Sequence, residues 1–85
     1  MTNEEAKALY FRAVNHCENG EAGEALALLD TLMRAHPGSC HVLACRARCL
    51  CALGRGDEAR RLCDGLENRL PAGQWQRLRD ELRNA

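Results

Sequence analysis

Aromatic side chains and long apolar runs are both scarce in this chain of 85 residues. It contains one Trp, one Tyr and one Phe, so it lacks the rows of stacking side chains with which proteins hold single-stranded nucleic acid. No stretch approaches the roughly 20 apolar residues that cross a bilayer. The first residues, MTNEEAKALY, are polar and acidic, whereas a secretory signal peptide is basic and then apolar. These absences favour a cytoplasmic protein that binds neither nucleic acid nor membranes.

The chain also lacks the short motifs of common enzyme sites. It has no Gly-rich phosphate loop, no Gly-x-Ser-x-Gly and no His-Glu-x-x-His. His16 shares the inner face of a predicted helix and His36 precedes a proline in a turn, so a structural role is expected for both. Several acidic residues lie near predicted helix starts, where their charge suits the helix dipole: Glu4, Glu5, Glu21 and Glu24. We therefore predict no catalytic residue, no cofactor and no enzyme activity.

The net charge is zero but unevenly divided between the two halves of the chain. Residues 1–39 hold three bases and six acids, a net of −3, and residues 40–85 hold nine arginines and six acids, a net of +3. Arginines and acids alternate in the second half, as on a solvated helix surface. The asymmetry would suit self-association that weakens in salt. A self-assembling dimer or oligomer is therefore one alternative function.

Shifting the sequence by 34 residues reveals an internal repeat. Eleven residues are identical between the two units, without a gap. Such a period is typical of proteins built from stacked helical hairpins. The matched pairs are Leu9/Leu43, Arg12/Arg46, Ala13/Ala47, Cys17/Cys51, Gly20/Gly54, Glu24/Glu58, Ala25/Ala59, Leu28/Leu62, Asp30/Asp64, Leu32/Leu66 and Pro37/Pro71.

Each unit has the pattern of two helices separated by a central glycine. Small and apolar residues recur at helical spacing on both sides of that glycine, and a proline follows the second helix. Thr2 and Glu5 have the spacing of a capping box at the first helix. Ser39 is placed to cap the third helix and Asp57 to cap the fourth.

A shorter fifth helix is predicted in the segment QWQRLRDELRNA. Trp75, Leu78 and Leu82 lie on one side of it, and the rest of its surface is polar. A stack of helical pairs needs such a polar-backed element to cover its last apolar face. We therefore expect Trp75 to be a buried anchor beneath this helix.

These features resemble the tetratricopeptide repeat family. The matching positions in the first unit are Leu9, Ala13, Gly20, Ala25, Leu29, Leu32 and Pro37. In the second unit they are Leu43, Ala47, Gly54, Ala59, Cys63, Leu66 and Pro71. The family's large aromatic near the start of each unit is replaced here by Leu9 and Leu43. The resemblance implies an all-α short solenoid in one domain, 1–85, with repeats at about 6–39 and 40–73 and a capping helix at about 74–84.

The resemblance also implies a function, because proteins of this family are mostly non-catalytic scaffolds, adaptors or small chaperones. The first helix of each pair lines a groove that receives a peptide or helix of a protein partner. By the motif match, the groove residues of this chain would be Lys7, Tyr10, Val14, Cys17, His41, Ala44, Arg48 and Cys51.

The segment CHVLACRARCLC concentrates four of the six cysteines in one predicted helix. Cys45 and Cys49 share a stripe with His41, and Cys51 lies on another side. His41 and Cys49 are about 12 Å apart along the axis, so this helix supplies at most two ligands to one metal ion. Side chains four residues apart on a helix are also too far apart for a disulfide. Packing is the expected role, and a cysteine-based metal-binding or redox-responsive protein is the second alternative function.

Overall fold

A computed structural model describes residues 1–83 of the chain. It contains five helices and, within those residues, no strand: α1 (Asn3–Glu18), α2 (Ala22–Ala35), α3 (Cys40–Ala52), α4 (Gly56–Gly65) and α5 (Ala72–Arg83). The predicted all-α fold is confirmed. The predicted capping helix extended to residue 84, which lies outside the described residues. None of the helices has the length and apolar character needed to cross a membrane.

Local sequence signals explain where the first and third helices begin. The Thr2 hydroxyl accepts a hydrogen bond from the Glu5 backbone N–H at 3.1 Å, and the Glu5 carboxylate accepts one from the Thr2 backbone N–H. The predicted capping box is therefore confirmed. Ser39 caps α3 as predicted, since its hydroxyl accepts from the Val42 backbone N–H.

The predicted cap of α4 is wrong. The helix begins at Gly56 with Arg55 as its N-cap, and no side chain accepts a hydrogen bond from its first turn. Asp57 lies inside that turn and pairs instead with Arg60 at 2.8 Å. Its negative charge still suits the N-terminal end of the helix dipole.

The core consists of two clusters that share two side chains. One cluster joins α1 and α2 to one face of α3, and the other joins the opposite side of α3 to α4 and α5. Leu26 and Met33 of α2 pack against both clusters. The helix α3 is therefore the central element, which explains why most of its residues are buried although its sequence is not strongly amphipathic.

The helix α5 closes the second cluster. Trp75, Leu78 and Leu82 are its buried residues, as the sequence predicts. The indole N–H of Trp75 donates to the Cys63 carbonyl oxygen at 2.9 Å, which gives this large side chain a fixed orientation. A pair between Arg48 and Glu81 at 2.6 Å connects α5 to α3 across the surface.

Candidate partner-binding groove

An open groove of about 810 Å³ lies beside the N-terminal half of α1. Its walls come from α1, the last turn of α2, the α2–α3 turn and the start of α3. Most of the lining is apolar or small, and the residues are Ala6, Lys7, Tyr10, Phe11, Leu32, Ala35, His36, Pro37, Gly38, Ser39, His41 and Val42. The groove has the size and character of a site for apolar side chains from a partner.

Two aromatic side chains form the α1 wall of this groove. The rings of Tyr10 and Phe11 meet edge to face with centroids 5.9 Å apart. Tyr10 is half-buried, and this burial raises the pKa of its hydroxyl. Phe11 is 63% exposed, the largest exposed fraction of any large hydrophobic side chain in the described residues.

The exposure of Phe11 follows from its position in the repeat. The equivalent residue of the second unit is Cys45, which is 2% exposed because the first hairpin packs over it. In the described part of the chain, no helix precedes α1 to cover Phe11 in the same way. Phe11 is absent from the groove residues predicted from the sequence, although comparing the first unit with the second would have revealed it.

The groove contains three basic residues, one lysine and two histidines. Lys7 and His41 are exposed at its edge, and His36 lies deeper. Nε2 of His36 is buried without a hydrogen-bond partner among the described residues. No acidic residue appears among the described residues that line the groove. A partner segment with acidic groups beside its apolar residues would therefore match the charge of this surface.

The structure brings together only some of the groove residues predicted from the sequence. Lys7, Tyr10 and His41 line the apolar groove. Val14 and Cys17, further along α1, are half-buried against the first core cluster.

The other three predicted residues face the second cluster and α5. Ala44 is 7% exposed and packs in the core, so it has little surface to offer a partner. Arg48 is engaged by Glu81 of α5. The thiol of Cys51 points to the Leu82 carbonyl oxygen at 3.9 Å. The capping helix therefore occupies much of the surface that the motif match assigns to a partner on α3.

The cysteines of the described residues are all free thiols. Cys45 and Cys49 are buried in the first cluster, and Cys17 of α1 packs against it. The pKa of Cys49 is raised mainly by its interaction with Cys45 and further by burial. Burial also raises the pKa of Cys63. Cys49 and Cys63 therefore stay protonated at neutral pH, which suits packing better than nucleophilic chemistry, whereas the interaction with Cys49 lowers the pKa of Cys45.

A second cavity, about 970 Å³, lies between α3, the start of α4 and the end of α5. It is polar, and arginines make up much of its lining, but acidic residues lie among them. Arg55 pairs with Glu58 and Arg60 pairs with Asp57. Much of its positive charge is therefore already compensated, which makes it a weaker candidate than the apolar groove.

Comparison with known proteins agrees with the architecture. A family model described as tetratricopeptide repeat matches residues 16–82. Its match spans α2, α3 and α4 in full, and most of α5. No curated protein and no solved structure matches the chain.

Proposed function

The chain belongs to the tetratricopeptide repeat family, and we propose that it is a non-catalytic module that binds a segment of another protein in the groove beside α1. Members of the family generally mediate protein–protein interaction. The observation that carries the proposal is the exposed Phe11 in an apolar groove on the uncovered side of the first hairpin. An exposed aromatic beside a concave apolar surface is typical of an interaction site.

The occupant that fits this surface is an amphipathic segment with an apolar face and acidic flanking residues. Its apolar side chains would cover Tyr10 and Phe11, as when a helix lies in a hydrophobic groove. Its acidic residues would lie near Lys7 and His41, the basic groups at the edge. Adaptor, scaffold and small-chaperone roles all use such binding, and free thiols suit a reducing compartment such as the cytoplasm.

A displayed library of amphipathic peptides tests the proposal. Peptides are selected on the wild-type protein, and their affinities for the wild type and for the variant Phe11→Ser are then compared. The variant Leu53→Ser is the matched control. Leu53 is also a large exposed hydrophobic residue, at 45%, but it lies at the end of α3 and outside the groove. We expect Phe11→Ser to weaken binding about 10- to 30-fold, as for a central aromatic anchor, and Leu53→Ser to change it less than about 2-fold.

Three results would contradict the proposal: no peptide selected, equal binding by both variants, or loss with Leu53→Ser alone. Light scattering of the same proteins measures whether the chain forms a dimer, which tests for a second copy of the chain as the occupant of the groove. A dimer that Phe11→Ser dissociates would show that a second copy of the chain fills the groove.

A further inference from the structure

The turn between α1 and α2 brings three metal-ligating side chains to one point. Nδ1 of His16 lies 3.4 Å from Glu21 Oε1 and 3.3 Å from Glu24 Oε2. One ligand atom from each residue lies within 4.8 Å of the other two. The cluster is on the surface, away from the residues that line the groove.

The backbone holds this cluster in place. Gly20 has φ +81°, a conformation that glycine adopts readily. The tight turn returns the chain over the end of α1, where the Glu21 backbone N–H donates to the His16 carbonyl oxygen at 2.7 Å. Glu21 precedes α2 and Glu24 lies in its first turn, so two helices fix the positions of the three side chains.

The second repeat has the same turn with a different set of side chains. Gly54 has φ +80°, and the Arg55 backbone N–H donates to the Leu50 carbonyl oxygen at 2.9 Å. Positions 16, 21 and 24 correspond to Leu50, Arg55 and Glu58 at the 34-residue shift. Arg55 binds Glu58 through two contacts of 2.7 and 3.0 Å. The guanidinium group of Arg55 therefore supplies the second turn with a permanent positive charge beside Glu58.

The first turn contains two carboxylates and an imidazole where the second has that ion pair. An arginine is replaced by Glu21, and a buried leucine is replaced by His16. Two carboxylates close together repel each other unless a cation lies between them. The backbone alone does not require this arrangement, because the second repeat forms the same turn without it.

Two of the three distances between the ligand atoms match those around a bound metal ion, and the third is at most 4.8 Å. Ligand bonds of about 2.0–2.2 Å at tetrahedral angles place neighbouring ligand atoms roughly 3.3–3.6 Å apart. The two contacts of His16, at 3.3 and 3.4 Å, lie in that range. One nitrogen and two carboxylate oxygens suit zinc and similar transition metals better than calcium or magnesium, which prefer oxygen ligands alone.

We propose that His16, Glu21 and Glu24 bind a divalent transition-metal ion of the zinc class, with water completing the coordination. The side chains of these residues are 29%, 45% and 66% exposed, so a bound ion exchanges with solvent. Its ligands come from both sides of the α1–α2 turn, so the ion connects the two helices and stabilises the folded state by mass action.

Zinc titration by calorimetry and cobalt titration by absorption test this site. Glu21→Arg copies the ion pair of the second repeat, so it removes a ligand while keeping a partner for Glu24. His16→Gln removes the nitrogen ligand, and Glu67→Gln is the control for an exposed carboxylate elsewhere on the surface. We expect one zinc ion per chain, at least about 10-fold weaker binding in the first two variants, and a change below about 2-fold in the control.

Cobalt distinguishes the proposed ligands from the six cysteines. A site with nitrogen and oxygen ligands gives weak visible bands, whereas thiolate ligation adds an intense near-ultraviolet band. We expect the weak bands alone, and a higher melting temperature of wild type, but not of Glu21→Arg, when zinc is added. The proposal is overturned by binding weaker than about 1 mM, by unchanged binding in both variants or by the thiolate band.

Discussion

At the scale of single residues, the cysteines show how a chemically reactive side chain is used for packing. Cys49 is fully buried between α1 and α3, in contact with Cys45 and Cys17. Cysteine is a small hydrophobe when it is protonated, and the raised pKa of Cys49 keeps it so. At Cys45 and Cys49, cysteine therefore serves as a small packing residue between α1 and α3.

This packing predicts that the protein loses stability at alkaline pH. The pKa of Cys49 and that of Cys63 are raised above the model-compound value of 9.0, so above pH 9 the folded state retains protons that the unfolded chain releases. The pKa of Cys45 is lowered by its interaction with Cys49, and its opposite contribution is gained below pH 9 and stays constant above it. The contribution of Cys49 and Cys63 is fully present below pH 9 and is lost as pH rises further. Urea unfolding at several pH values above 9 should show that the free energy of unfolding falls by at most about 1.4 kcal/mol per pH unit for each thiol.

The variant Cys49→Ala separates this effect from general alkaline denaturation. Alanine removes the titrating group while leaving a small apolar side chain. The free energy of unfolding of this variant should therefore fall less steeply above pH 9 than that of the wild type. Val42→Ala, which truncates a buried side chain of the same cluster without removing a titrating group, is the control and should leave the slope unchanged. A wild-type stability that is constant up to pH 10.5 would contradict the assignment.

At the scale of elements, the helix boundaries were largely predictable because their signals are local. The capping box at Thr2 and the cap at Ser39 depend on side chains within three residues of the backbone groups that they bind. Asp57 does not cap α4 because the helix begins one residue earlier, at Gly56. Gly56 corresponds at the 34-residue shift to Ala22, the first residue of α2.

No local sequence pattern indicates the exposure of Phe11 or the cluster of His16, Glu21 and Glu24. The exposure of Phe11 depends on which helix faces stay uncovered, and the cluster forms because the α1–α2 turn folds back over the end of α1.

The attachment of α5 depends on the hydrogen bond between the Trp75 indole and the Cys63 carbonyl oxygen. Trp75→Phe keeps an aromatic ring but removes this hydrogen bond, while the Cys63 carbonyl oxygen still accepts from the Leu66 backbone N–H at 2.9 Å. The expected cost of the lost bond is therefore about 0.5–1.5 kcal/mol, to which the smaller ring adds a loss of packing. Urea unfolding followed by circular dichroism measures the loss. Arg79→Gln removes only a cation over the Trp75 ring at 5.4 Å and should cost less than about 1 kcal/mol. Equal losses in the two variants would show that the hydrogen bond does not matter.

At the scale of the whole molecule, two repeats and a capping helix make one continuous core instead of two separate ones. The side chains of Leu26 and Met33 contact both clusters, and α3 presents a buried face to each. The repeat period predicted the stacking of hairpins. The continuity between the clusters depends on contacts that are distant in sequence, and no local pattern specifies them.

This continuity predicts that the chain unfolds as a single unit. Leu29 is fully buried in the first cluster, whereas Trp75, the only tryptophan, belongs to the second. Leu29→Ala should cost about 2–5 kcal/mol and lower the melting temperature by about 8–40 °C. If the core is continuous, Trp75 fluorescence and circular dichroism report the same lowered midpoint, because the distant cluster cannot remain folded alone. A Trp75 transition that stays at the wild-type temperature would instead show that the second repeat and α5 fold independently of the first hairpin.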